Sequence, residues 1–294
     1  MKDYITKVVS SDGFIRGYAA ITTNMVNEAQ RIHQMYPIPI AALGRTLTAA
    51  AMMGAMLKGE KDRLTIRIKG DGPLGGIVVA ADSKANVKGY VHNPHVNLPL
   101  KPNGKLDVGG AVGRNGYLNV IRDFGLKEPY VGQVPLATGE IAEDLTLYFA
   151  RSEQIPSAVA LGVLVDTDLT VKAAGGFIVQ LMPGADEKVA ERLENIIADL
   201  PPVTKMICEG MTAEDILRKV LSGIELTNLE TVDTRYHCDC SRERIEGALI
   251  SLGEEELSKL IEEQGKAELT CHFCDKKYHF NKEELQTLLE ESKK

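Results

Sequence analysis

Tryptophan is absent from the chain, and Phe and Tyr bring aromatics to only 5% of its 294 residues. A core must therefore rest on aliphatic side chains and methionine, without much of the large area that aromatic rings bury. A basic surplus is lacking as well: 34 Lys and Arg stand against 41 Asp and Glu, a formal net charge of -7. General nucleic-acid binders carry a basic face that meets phosphates, so no nucleic-acid partner is expected. A long unbroken apolar run is also missing. The longest candidate, residues 38–57, is interrupted by Pro39, Gly44, Arg45, Thr46 and Thr48, whereas a membrane span needs about 20 predominantly apolar residues. It reads as a buried helix, and no membrane partner is expected. Residues 1–16 contain Asp3, Lys7 and Asp12 and no apolar stretch, so no secretory signal is read there and a cytoplasmic location is expected.

Catalytic signatures are missing in turn. There is no Gly-x-Ser-x-Gly elbow, no His-Glu-x-x-His pair and no phosphate-loop lysine motif. Neither turnover nor an ATP requirement is expected. Gly70-Asp71-Gly72-Pro73-Leu74-Gly75 matches a dinucleotide fingerprint by its letters. That fingerprint needs a helix next, to hold the pyrophosphate at its N-terminus. Gly76-Ile77-Val78-Val79-Ala80 follows instead and reads as a strand, so the segment is taken as a turn. Met52, Met53 and Met56 lie at helical spacing among alanines and read as core.

The length allows one large domain and a smaller one. Strand patterns are read at 4–9, 14–20, 63–69, 77–81, 87–92, 117–124, 130–136, 158–165 and 169–180. Helical patterns are read at 24–35, 43–57 and 141–152. Hairpin-like spacing of the middle strands argues for antiparallel pairing in an α+β layer fold. The expected organisation is an N-terminal core domain over 1–180, a helical linker over 181–231 and a small C-terminal zinc-binding domain over 232–294. In the linker, 184–200 and the segment capped by Thr212 carry apolar stripes beside charged faces. Short helices of this kind are marginal alone, so the linker is expected to be folded only while the tail is docked against it. Its release would expose Val189, Leu193, Ile196, Ile216, Leu217 and Val220. The tail, with 15 Asp and Glu against 10 Lys and Arg, carries most of the net charge.

Four of the five cysteines fall in the tail, as Cys238-Asp239-Cys240 and Cys271-His272-Phe273-Cys274. In a reducing compartment this clustering points to metal or redox chemistry. Zinc takes four tetrahedral ligands and favours thiolates, so one zinc per chain, held by Cys238, Cys240, Cys271 and Cys274, is expected. His237, His272 and His279 could substitute as ligands but are read as bystanders. Cys208 is read as a small buried hydrophobe. A zinc site here could be purely architectural. It could also be a switch: structural zinc supplies roughly 10–16 kcal/mol in small domains, while a core of this size supplies about 3–5 kcal/mol. Oxidation of neighbouring thiolates would then couple zinc loss to unfolding. A zinc-ribbon nucleic-acid module is opposed by the acidic tail. A thiol oxidoreductase is opposed by the lack of a thioredoxin-like strand–helix context around Cys271-x-x-Cys274.

The run Cys238-Asp239-Cys240-Ser241-Arg242-Glu243-Arg244, and Cys271-His272-Phe273-Cys274 with Tyr278 and Phe280, resemble the bacterial redox-regulated heat-shock holdases of the 33 kDa chaperonin family. Ile68-Lys69-Gly70-Asp71-Gly72-Pro73-Leu74-Gly75 and Gly89-Tyr90-Val91 resemble it as well, and the likeness runs the length of the chain. The resemblance implies an ATP-independent chaperone, inactive when reduced and zinc-bound. It further implies that peroxide or hypochlorite, with unfolding stress, forms disulfides Cys238–Cys240 and Cys271–Cys274 and expels zinc. Tail and linker then unfold, the active form is expected to be a homodimer that holds unfolding clients, and Val189, Leu193, Ile196, Ile216, Leu217 and Val220 of the linker are the expected client contacts.

Overall fold

Alternation at period two and at period 3.6 builds most of the chain. A computed structural model describes residues 2–292, the Glu187 side chain excepted. It divides into two compact units, Met1–His237 and Cys238–Lys294.

The first unit opens with β1 (Tyr4–Ser10), β2 (Ile15–Ile21), α1 (Thr23–His33) and α2 (Pro37–Gly54). There follow β3 (Arg63–Lys69), β4 (Ile77–Asp82), β5 (Asn86–Val91), α3 (Val108–Val112), β6 (Tyr117–Asp123) and β7 (Tyr130–Pro135). Next come α4 (Ala142–Tyr148), continued by a π-helical turn over Phe149–Glu153, then β8 (Ser157–Val165) and β9 (Val171–Leu181). The unit closes with α5 (Glu187–Ala198), α6 (Val203–Cys208), α7 (Ala213–Val220), β10 (Leu226–Asp233) and β11 (Arg235–Tyr236). Two sheets result, ordered β10-β1-β2-β9-β8 and β11-β5-β4-β3-β6-β7. Their pairings are antiparallel except that of β11 with β5. The α+β class with mainly antiparallel strands is therefore the one expected.

Helix α2 packs on strands of both sheets, and every residue except Pro37 and Arg45 is buried. The helix begins at Pro37, six residues before the start read from the pattern; proline suits a first helical position because its missing N–H would lack a partner there anyway. Its polar residues are satisfied internally: Thr46 Oγ1 donates to Ala42 O at 2.9 Å and Thr48 Oγ1 to Gly44 O at 2.8 Å. Met52 and Met53 are core, as read. The stretch Gly70–Gly75 lies between β3 and β4, so it is a turn between strands.

The linker range contains a feature the pattern did not disclose. Residues 226–233 form β10, paired with β1 from Tyr4↔Asp233 to Ser10↔Leu226. Most of its side chains are exposed, so it shows no apolar alternation to read. Helices α5–α7 do have a partner surface, and it lies within their own unit. Leu193, Val203, Met206, Ile216, Leu217 and Val220 share one cluster with Val8, Ile15, Ala19, Ile21, Phe177 and Val179 of the five-stranded sheet. Glycines in that sheet allow close approach. A Cβ at Gly17 would stand 2.9 Å from Leu217 and 3.2 Å from Leu221, and one at Gly175 would stand 2.5 Å from Ile207. Cys208, read as buried, is exposed at the end of α6; the helix turns Val203 and Met206 inward instead.

The second unit comprises α8 (Arg242–Ile250), α9 (Glu254–Glu263), the hairpin β12 (Lys266–Thr270) and β13 (Lys277–Asn281), and α10 (Lys282–Ser292). Leu249, Leu257, Ile261, Ala267, Tyr278, Phe280, Leu285 and Leu288 are buried together with Cys271.

Candidate metal centre

The hairpin makes the second cysteine pair. Strand β12 delivers Cys271, and the turn before β13 delivers Cys274. Cys274 N and Asp275 N both donate to Cys271 O, at 3.2 and 2.8 Å, and Cys271 N donates to Lys276 O at 3.0 Å. Asp275 closes the turn at φ 56°, a left-handed conformation that Asp tolerates better than most residues. The first pair lies on the extended stretch ahead of α8. Ser241 caps that helix, its Oγ accepting from Arg244 N at 3.3 Å.

Arg242 holds the two halves together. Its guanidinium donates to Glu246 at 3.1 Å, to His279 O at 3.1 Å and to Glu284 at 2.8 Å. It also lies 4.4 Å from the centroid of the Phe280 ring. One side chain thus links the helix after Cys240 to the strand after Cys274.

The four sulfurs of Cys238, Cys240, Cys271 and Cys274 lie within 4.8 Å of one another. Cys238 and Cys271 Sγ are 3.7 Å apart, and Cys240 and Cys274 Sγ 3.4 Å. A tetrahedral ion with metal–sulfur bonds of about 2.3 Å has sulfur–sulfur edges of about 3.8 Å. The set could hold a metal ion, and its all-sulfur chemistry suits zinc. Electrostatics agree. Burial pushes the Cys238 thiol well above its usual range and pushes Cys274 up to about 11. Burial also acts upward on Cys240, but hydrogen bonds from Tyr278 and the neighbouring sulfurs outweigh it and hold that thiol below its usual range. Thiolates this close repel one another, and a divalent cation relieves that repulsion.

His237, His272 and His279 are exposed and stand outside the sulfur cluster. Among the residues expected to meet clients, Ile216, Leu217 and Val220 are fully buried, Leu193 is 4% exposed, and Val189 is partly buried against the same cluster. Ile196 is partly exposed. Two contributors were not assigned from the sequence, Arg242 and Tyr278. Tyr278 alternates with Phe280 on the inward face of β13, a pattern that signals burial but not the hydroxyl's target. That target is Cys240 Sγ, at 3.1 Å.

A family model described as Hsp33 protein matches residues 3–281. A 33 kDa chaperonin of Ruminiclostridium cellulolyticum is 54% identical, with all of both chains covered. A 33 kDa chaperonin of Acetivibrio thermocellus is 55% identical over 98% of this chain and 97% of its own. A crystal structure of the 33 kDa chaperonin (heat shock protein 33 homolog) from Thermotoga maritima superposes with a TM-score of 0.90 at 42% identity, covering 99% of this chain and 98% of that one.

Proposed function

The chain belongs to the Hsp33 family, and on that premise we propose that it is a redox-regulated, ATP-independent holdase. The convergence of four sulfurs to within 4.8 Å of one another carries the reading. In the reduced state Cys238, Cys240, Cys271 and Cys274 would hold one zinc, which neutralises the thiolates and fixes the small unit. Peroxide would oxidise the sulfurs to disulfides Cys238–Cys240 and Cys271–Cys274. Each disulfide removes two ligands, so the ion leaves and the small unit loses its main support.

Client binding would follow in the linker. Helices α5–α7 cover apolar sheet residues including Ile15, Phe177 and Val179. Their release under heat and oxidation would expose Val189, Leu193, Ile196, Ile216, Leu217 and Val220 from one side and the sheet from the other. Unfolding proteins would bury their own apolar surface there, while the charged face of the linker keeps the complex dissolved. The organisation proposed is a core over 1–180, a linker over 181–231 and a switch over 232–294, acting in the cytoplasm as a homodimer without nucleic-acid or membrane partners. No described helix is long and apolar enough to cross a membrane.

The test measures zinc release and suppression of client light scattering together, with and without peroxide at raised temperature and without ATP. Both should rise in step on oxidation. Protection that is already complete in the reduced, zinc-loaded protein would refute the switch, and protection that needs ATP would refute the holdase.

A further inference from the structure

We propose that Tyr278 is a positioning residue that sets how readily the Cys240 sulfur reacts with peroxide, through the hydrogen bond its phenol donates to that sulfur. The inference rests on the thiolate–zinc reading above and adds a control to it.

The phenol is placed by the fold. Tyr278 pairs with Leu269 across the hairpin, and its ring is 5% exposed in the core of the small unit. Its hydroxyl donates to Cys240 Sγ at 3.1 Å. Cys240 belongs to the other cysteine pair, 38 residues earlier in the sequence. The bond therefore crosses between the two halves of the site. Lys276 Nζ lies 5.0 Å from the centroid of the same ring. A cation over the face draws electron density from the ring, which makes the O–H a stronger donor.

A hydrogen bond to a metal-bound thiolate withdraws density from the sulfur lone pairs. It steadies the ligand and lowers its nucleophilicity, the property that governs attack on an oxidant. In the step concerned, the Cys240 sulfur attacks one oxygen of hydrogen peroxide. The O–O bond breaks, hydroxide leaves, and the sulfur becomes a sulfenic acid. A neighbouring thiol sulfur then attacks it, the S–S bond forms, and its proton leaves with the displaced oxygen as water. The two sulfurs together lose two electrons, and the peroxide gains them. Tyr278 takes no part in the bond changes. It sets the electron density on the sulfur that begins them.

The experiment compares full-length, zinc-loaded wild type with Tyr278→Phe, which keeps the ring and removes the hydroxyl, and with Lys276→Met, which keeps the hydroxyl and removes the cation. Peroxide-driven zinc release is followed with a chromogenic chelator, and modification of Cys240 by alkylation and peptide mass mapping. Cobalt(II)-loaded samples give the sulfur-to-metal charge-transfer band. Tyr278→Phe should oxidise at Cys240 faster, by about tenfold, the lower end of the roughly 10–100-fold by which loss of an outer-shell partner changes a metal site's affinity or activity, with a shifted charge-transfer band. Lys276→Met should move both readouts in the same direction by less. Metal-loaded variants with wild-type rate and band would overturn the role of Tyr278 and leave the zinc switch standing. Wild type that binds neither metal would overturn both.

Discussion

The two units solve the same problem with different means. In the first, an 18-residue helix buried along almost its whole length joins two sheets, and the core is built from aliphatic side chains, alanines and methionines. In the second, nine of the described residues are buried, and one of them is a cysteine of the sulfur cluster, with the other three cysteines packed at its edge. Apolar area removed from water grows with domain size, so the large unit can hold itself. The small one has its four thiols where further hydrophobes would otherwise be needed. The difference between the units is thus a difference in what could be withdrawn: a metal held by the four sulfurs could be removed by a chemical reagent, and a hydrophobic core could not.

The largest effect should come from withdrawing it. Chelation under reducing conditions, or Cys271→Ser, should unfold Cys238–Lys294 while the core over 1–180 stays folded. Hydrogen exchange should show complete loss of protection across β12, β13 and α10, with α2 unchanged. Structural zinc contributes roughly 10–16 kcal/mol in small domains, more than a unit of this size has to lose. Retained protection in β12 and β13 after chelation would erase the contrast between the units.

A sharper comparison lies inside the first unit, between its core and its helical cover. Leu217 is fully buried and sits above Gly17 of β2. Leu217→Ala should cost about 2–4 kcal/mol, the usual range for a buried leucine with partial relaxation. The loss should appear as faster exchange in α5–α7 and not in α2. If zinc release frees the linker, the same substitution should lower the temperature at which oxidised protein begins to protect clients. A global loss of stability with no local exchange would mean that cover and core unfold as one.

Where the sequence could be read, and where it could not, follows the same division of forces. Arg63–Lys69 alternates because one face of β3 is buried and the other is wet. The cysteine pairs are legible because few chemistries place two sulfur pairs so close. Strand β10 was hidden because it is an edge strand with little to bury, and its place is set by backbone pairing with β1. The partner of the linker stripe was hidden for a related reason. A stripe announces that it needs a surface but not which one, and here the five-stranded sheet provides it. Tyr278 and Arg242 act on the sulfur site through contacts set by tertiary structure, which no local pattern encodes.

The smallest effect expected concerns the ionic anchors of the first unit, which contrast with the sulfur site by depending on pH rather than on oxidant. Glu140 accepts from Arg45 Nη1 at 2.9 Å and from Gly109 N at 3.1 Å, and pairs with Lys101. Burial alone would raise its pKa, but the bonds from Lys101 and Arg45, the charge of Arg45 and the Gly109 amide outweigh it, and the carboxyl is held below its ordinary 4.5. A carboxyl with a lowered folded-state pKa adds stability above the unfolded value, and that stability is lost as pH falls through the folded one. Glu140→Gln should therefore cost roughly 1.5–3 kcal/mol at neutral pH, the scale of hydrogen bonds to a charged group. The cost should shrink below about pH 4.5, where the carboxyl of the unfolded wild-type chain begins to take up a proton while the folded one stays charged. Denaturant midpoints of the two proteins, measured from pH 7 to pH 3 on a signal from the first unit, should converge. Parallel curves would show that Arg45 and Lys101 are held by packing alone and that the charge on Glu140 adds nothing to it.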